Sequence, residues 1–340
     1  MKEKEGATRR DFLKTCVAGT VAGTVAIGTG DILAYAAQTT KTAATKSKVV
    51  IARDAALRNS SGSVDPNRML ALLDRAMQSY FDTKDPLVPW KKLVRPGQVV
   101  GLKVNTIAGR GLSTNTLLVQ AIAERLQQVG IKPYDIVIWD RTSRELQRAG
   151  FTLSKEPGKI RCLGTDEVGY ETQPESFGTV KCPMSKILTQ MCNVVINVPI
   201  LKDHGGAGIT LSMKNMYGVI QNPNECHANG CNPAVADINM MPSIKNKVQF
   251  TIADLTTCGF DGGPSFRPGL NWNHDGVMVS GDRVAIDHIG YQIVDRKRVE
   301  KGLKNLQDTG RPPRYIATAA DDQHKLGTND PVRIALVEVG

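Results

Sequence analysis

Short apolar runs of four to seven residues recur along this chain, with helically periodic segments between them. Val49–Ala52, Val99–Val104, Asp135–Trp139, Asn193–Val198, Val248–Ala253, Val277–Ser280 and Arg333–Val339 are too short for stable helices. They are apolar enough to be covered on both faces of a sheet. Met69, Leu72, Leu73, Ala76, Met77 and Tyr80 follow a 3.6-residue period, with Asp65 as N-cap and Pro66 in the first turn. Leu117, Leu118, Ala121, Ile122 and Leu126 repeat the pattern between a cap at Ser113 or Thr114 and a stop at Gly130. Val284, Ala285, Ile289 and Ile293 do so again after Asp282. Met184–Met191 and Leu211–Tyr217 read as further helices. This alternation predicts an α/β fold, a mostly parallel sheet with helices on both faces. The stretch 221–247 is too long for an ordinary connection and reads as an irregular functional insertion.

The first 36 residues carry a different signal. Arg9-Arg10 precede Phe12-Leu13 and an uncharged Ala/Gly/Val/Thr segment, and Ala34-Tyr35-Ala36 forms an A-x-A cleavage site. This layout predicts a twin-arginine export signal over residues 1–36, the twin-arginine translocase as a transient partner, and a periplasmic protein. The apolar run is shorter than the roughly 18 residues of a membrane span, so no permanent membrane anchor is expected. A Thr/Lys/Ala-rich linker at 37–48 leads to a domain over 49–340. The signal holds five Lys/Arg and four Asp/Glu, leaving +9 of the chain's formal charge of +10. The positive charges are scattered and only 5% of residues are aromatic. That composition favours a small anionic ligand and argues against nucleic acid, which would need stacking surfaces on a basic face.

Ligands of open parallel sheets bind beyond the carboxyl ends of the strands. The residues there are Lys103 and Asn105, then Asp140 and Arg141, then Lys202, Asp203 and His204, and finally Asp254. His204 runs into Gly205-Gly206-Ala207-Gly208, where backbone can approach a ligand closely. A helix start near Ile209–Leu211 would then offer backbone N–H groups to an anion. Lys214 and Asn215 follow. The expected assignments are acid–base or charge roles for His204, Lys202, Lys214 and Asp254, and ligand or cofactor binding by Lys103, Asn105, Gly206, Gly208, Lys214, Asn215 and Asp261. His204 and His227 are the candidate metal ligands. Asp254 and Asp261, on a glycine-rich segment, could equally make turns. Cys226 and Cys231 could form a disulfide, stay free or bind metal.

GLKVN at Gly101–Asn105, INVPILKDH at Ile196–His204, MKNMYG at Met213–Gly218, FDGGP at Phe260–Pro264, VSGDRVAID at Val279–Asp287 and LGTNDPVRIALVEV at Leu326–Val339 occur in this order. Together they resemble the domain-of-unknown-function 362 family over nearly all of the chain after the signal. Some members carry a ferredoxin segment whose cysteines are missing here, so an iron–sulfur cluster is not expected. The order His204, Lys214, His227 also looks like part of the nickel-pincer lactate racemase pattern. By that likeness Lys214 would tether the cofactor, His227 would ligate nickel and His204 would transfer protons. Met216-Tyr217-Gly218 stands where that pattern has Pro-Gly, and a second acid–base histidine has no counterpart. The resulting expectation is an exported enzyme acting on a small anionic substrate or cofactor, with a metal ion or metal-containing cofactor at the histidines. A non-catalytic periplasmic binding or carrier protein and a nickel-pincer racemase or epimerase are the alternatives.

Overall fold

The structure, a computed structural model, describes residues 46–340; the expected signal at 1–36 lies outside them, as does most of the linker. Twelve strands and eight α-helices appear in chain order. The first half contains β1 (Ser47–Arg53), α1 (Pro66–Phe81), α2 (Val88–Leu93), β2 (Val100–Val104), α3 (Thr116–Gln128), β3 (Ile136–Asp140), α4 (Ser143–Ala149) and β4 (Arg161–Gly164). A small hairpin, β5 (Glu175–Phe177) and β6 (Val180–Cys182), precedes β7 (Val194–Val198), β8 (Ile200–His204) and β9 (Gly208–Thr210). Then come α5 (Ala234–Met240), α6 (Pro242–Lys247), β10 (Val248–Gly259), β11 (Asn271–Ser280), α7 (Arg283–Glu300), α8 (Tyr315–Ala320) and β12 (Ile334–Val339).

The main sheet runs β12-β1-β11-β10-β7-β2-β3-β4, with β8 beside the far end of β10 and β9 beyond β8. Pairing is parallel from β10 through β7, β2 and β3 to β4, and between β1 and β12. The antiparallel pairs are β11 with both its neighbours and the β8–β9 hairpin. Strand alternation sends Val50 and Ala52 to one core with α1 and α3, and Val49 and Ile51 to another with α7 and α8. The sheet is thus mostly parallel and covered by helices on both faces.

Local chemistry accounts for the helix starts. Asp65 accepts the Arg68 N–H at 2.9 Å and Pro66 occupies the first turn of α1, whose Met69, Leu72, Leu73, Ala76 and Met77 are buried. Helix α3 is capped by Asn115, through the Leu117 N–H, and not by Ser113 or Thr114. Thr114 instead accepts the Asn105 N–H at 2.9 Å and donates to the Val198 carbonyl at 2.8 Å, which ties two strand ends together.

Other expectations are corrected. The segment after the glycine run is strand β9, since Ile209 pairs with Asp203 across the hairpin. Leu211–Tyr217 becomes a 3₁₀ helix at Lys214–Val219, and Met184–Met191 a π-helical turn at Ile187–Met191. The insertion at 221–247 is not irregular throughout: two 3₁₀ turns lead into α5 and α6. Strand β10 continues past Asp254 to Gly259, because β11 and β8 satisfy its backbone there. Among the described residues no helix is long and apolar enough to cross a membrane.

Candidate functional site

Strands β2 and β3 deliver the floor of a cavity of about 340 Å³. Lys103, next to last in β2, is fully buried and donates to Asp140 Oδ1 and to the Val104 carbonyl, both at 2.7 Å. The other Asp140 oxygen accepts the N–H and the hydroxyl of Thr106, each at 2.7 Å. A buried ion pair survives desolvation only when its remaining hydrogen bonds are filled, and here they are. Amides extend the network. Asn105 donates to Asn215 Oδ1 at 3.0 Å, and Asn215 donates to Asn197 Oδ1 at 2.7 Å. A Cβ on Gly218 would stand 2.7 Å from Lys103 Nζ and 2.8 Å from Asp140 Oδ1, so the floor requires glycine there.

The β8–β9 hairpin fixes His204. Its Nδ1 accepts the N–H groups of Gly206 at 3.1 Å and Ala207 at 3.0 Å. Those two donors are therefore spent on the imidazole, and the helix start expected to offer N–H groups to an anion at Ile209–Leu211 is replaced by strand β9. The same bonds put the ring proton on Nε2. Burial, reinforced by Lys214, His227 and Lys202, pushes the His204 pKa down to about 3, so the ring is neutral at physiological pH.

Opposite stands His227, carried by the turns after Asn222. Its Nδ1 lies 2.9 Å from the Pro223 carbonyl, which can only accept, so Nδ1 donates and Nε2 keeps its lone pair. That Nε2 is 3.4 Å from Lys214 Nζ. The ammonium also sits 3.3 Å from the centre of the Tyr217 ring, a cation–π contact. Burial lowers the Lys214 pKa to about 8, and burial with the nearby Lys214 charge lowers that of His227. The two imidazoles lie 5.7 Å apart and near parallel, at 19°.

Charge in the cavity does not balance. Lys103 is matched by Asp140, and Arg141 by Glu145 one helical turn away. Lys214 lines the cavity with no carboxylate partner among the described residues. Thr210 adds a hydroxyl that is buried yet has no hydrogen-bond partner.

Of the residues singled out from the sequence, Lys103, Asn105, Asp140, Arg141, His204, Lys214, Asn215 and His227 line this cavity together. The others do not. Lys202 is buried behind Asn105, donating to its Oδ1 at 2.9 Å and to the Leu112 carbonyl at 3.2 Å, and burial lowers its pKa to about 7. Gly206 and Gly208 serve the hairpin; Gly208 has φ +80° and lies against the Arg311 carbonyl. Asp254 is fully buried within β10, where it accepts the Asn115 N–H at 2.7 Å and the Thr256 N–H at 2.8 Å. Burial raises its pKa. Asp261 accepts from Arg298 at 2.6 Å and lies 3.5 Å from Arg311, whose charges hold its pKa low against the opposing effect of burial. Among the described residues no group of three or more His, Cys, Asp or Glu could hold a metal, so His204 and His227 are joined by no third protein donor. All six described cysteines, Cys226 and Cys231 included, are free thiols.

Several lining residues escape sequence reasoning, Glu145, Thr210 and Tyr217 among them. Asp140 and Arg141 carry the strand-end signal, whereas Thr210, Tyr217 and Glu145 reach the cavity only through the hairpin, the 3₁₀ helix and α4. Polar residues in such elements look like any solvated turn in the sequence.

Comparison with known proteins gives partial overlaps. The chain is 28% identical over 142 residues to the thylakoid-associated protein sll1697 of Synechocystis sp., a match spanning 40% of this chain and 43% of that one. It overlays the lactate racemase apoprotein of Thermoanaerobacterium thermosaccharolyticum with a TM-score of 0.38 at 12% identity, covering 70% of this chain and 55% of that one. A Thermotoga maritima protein gives a TM-score of 0.35 at 9% identity, covering 59% and 53%. The chain therefore spans about half the length of the proteins it matches. The model of the domain-of-unknown-function family DUF362 matches residues 100–292, which hold five of the six ordered motifs and every residue of the cavity floor, and the chain belongs to that family.

Proposed function

We propose that the cavity binds a small anionic molecule and that its histidines move a proton on it. The observation that carries this reading is Lys214: a buried cation with no carboxylate partner among the described residues, set beside a histidine lone pair. A buried charge of this kind is stabilised by an anion from solution. Lys214 supplies the charge, His204 Nε2–H a hydrogen-bond donor, and His227 Nε2 a proton acceptor. Calorimetry of the wild-type chain with small carboxylates tests the binding; the reading fails if none binds, or if Lys214→Ala binds equally well. A carrier protein would use the same cavity, and turnover of a bound ligand separates enzyme from carrier.

The reading extends to export. The paired Arg9-Arg10, the uncharged segment and the A-x-A site support a periplasmic location, tested by the intact mass of protein recovered from its own host. A mass starting at Ala37 agrees with it, and an uncleaved cytoplasmic chain refutes it.

A metal-bearing cofactor held at Lys214 is the second reading, favoured by the open Nε2 lone pair of His227 beside the amine. In it Lys214 would hold the organic part and His227 one coordination position. The cofactor would have to bring the remaining donors, since the described residues add none. When bound it would supply the redox or hydride chemistry of an epimerase. Elemental analysis of protein from its own host tests this: a stoichiometric metal lost in His227→Ala supports it.

A further inference from the structure

The geometry around Lys214 points past simple charge pairing. It is 6% exposed, its amine is paired with no carboxylate among the described residues, and it faces the cavity from a 3₁₀ turn. A base lies within reach, because His227 Nε2 presents its lone pair at 3.4 Å. The Nδ1–H of that ring is anchored on the Pro223 carbonyl, so its orientation is set before any ligand arrives. Across the cavity, His204 holds a proton on Nε2, and Thr210, 4% exposed, holds a hydroxyl with no partner. An amine with a fixed base on one side and hydrogen-bond donors on the other is the equipment of a lysine nucleophile.

We propose that Lys214 condenses with the carbonyl of a small 2-oxo carboxylate to form a protonated Schiff base inside the cavity. The inference rests on the anion-binding reading above and names the substrate class for the same site. A 2-oxo carboxylate fits because it brings both parts the cavity lacks. Its carboxylate meets the unmatched positive charge, and its carbonyl carbon meets the amine.

The step balances without a redox partner. His227 Nε2 takes a proton from the Lys214 ammonium and frees the nitrogen lone pair. That pair attacks the carbonyl carbon, and the C–O π pair moves to oxygen. The nitrogen then gives up a second proton. Both protons end on the oxygen, relayed through His227, and the oxygen leaves as water while the nitrogen forms the C=N bond and keeps one proton. The charge is one positive before and after, so the carboxylate retains its counter-ion throughout. Thr210 and His204 are placed to hold the carboxylate and the departing oxygen.

Reductive trapping tests the proposal. The full chain is incubated with pyruvate, glyoxylate or 2-oxoglutarate and cyanoborohydride, and the intact mass and peptide map are read; propionate binding is measured in parallel. One reduced adduct per chain is expected, on the peptide holding Lys214. It is lost in K214R and kept in K304R, whose lysine is exposed on the surface. In H227Q, trapping slows on the order of 10²-fold, the usual worth of a positioned base. H227Q also keeps the test sharp if K214R folds poorly by circular dichroism. An adduct that persists in K214R, or no adduct from any of the three acids, overturns the proposal. Propionate binding without an adduct leaves the anion reading standing and removes the covalent step, whereas neither binding nor adduct removes both.

Discussion

The amine of Lys214 and the Nε2 of His227 lie 3.4 Å apart, joined across thirteen residues of chain by a 3₁₀ helix and a turn. Among the described residues neither has a carboxylate within bonding distance, and the Tyr217 ring lies against both. Truncating Lys214 to alanine is expected to weaken carboxylate binding on the order of 30-fold, the loss of one charge-assisted hydrogen bond of about 2 kcal/mol. Thermal melting should change little, because burial without a counter-ion makes this ammonium costly to keep folded. Titration calorimetry and a melting curve on the same sample check both halves.

Gly218 marks where the floor cannot be altered. A methyl group there would meet Lys103 Nζ at 2.7 Å and Asp140 Oδ1 at 2.8 Å. Gly218→Ala should cost about 1–3 kcal/mol of stability through overpacking. It should also reduce ligand affinity, since the ion pair must shift toward the cavity. Denaturant unfolding read beside a binding isotherm would show the two losses together; an unchanged midpoint would contradict the packing account.

His324 joins two parts of the chain. Its Nε2 lies 2.9 Å from Asp237 on α5 and its Nδ1 lies 2.8 Å from Asp321, which are the charged groups facing the ring. Burial alone would lower its pKa, but the two carboxylates prevail and raise it above 6.5. A histidine with a raised folded-state pKa stabilises fully below its unfolded value and loses that contribution as pH climbs through the folded value. Stability should therefore fall as pH rises above about 6.5. His324→Gln should cost about 2 kcal/mol at pH 6 and less at pH 9. Urea midpoints at the two pH values decide it, and an equal cost at both would remove the assignment.

Arg298 holds Asp261, one of the residues expected to bind a cofactor, in an ion pair outside the cavity. Its guanidinium is 3% exposed, donates to Asp261 at 2.6 Å and to the Phe260 carbonyl at 2.9 Å, and lies 3.6 Å from Asp203. Removing one partner of such a cluster leaves buried charge uncompensated. Arg298→Ala is expected to destabilise by about 3–5 kcal/mol, read by chemical denaturation. Asp261→Asn should be milder, because Arg311 still pairs with Asp203 at 3.0 Å.

Strand ends were the readable part of this site. Lys103, Asn105 and His204 follow or terminate apolar runs, and a parallel sheet delivers such positions to one edge. Lys214 and Asn215 stood out because they follow a glycine run, and His227 because it joins His204 and two cysteines as a candidate metal ligand; all three line the cavity. Asp254 misled because the apolar run ends there while the strand does not. Backbone pairing with β11 and β8 carries β10 five residues further, and the carboxylate stays inside. The glycine run misled for a related reason. Periodicity cannot show that His204 turns back onto its own hairpin and takes the N–H groups an anion would use.

The sequence by itself determined the α/β class, seven of the twelve described strands, the three longest described helices, the cap at Asp65 and the family. Each of these follows from local periodicity or from short ordered motifs. Tertiary structure alone decided which charges are already matched. Lys103 meets Asp140 from the neighbouring strand, 37 residues away, while Lys214 meets no carboxylate among the described residues. It also decided the ring protons of His204 and His227, through a hairpin backbone in one case and a turn carbonyl in the other. Pairing and protonation depend on distance through space and on exclusion of water, and neither is written in the spacing of residues along the chain.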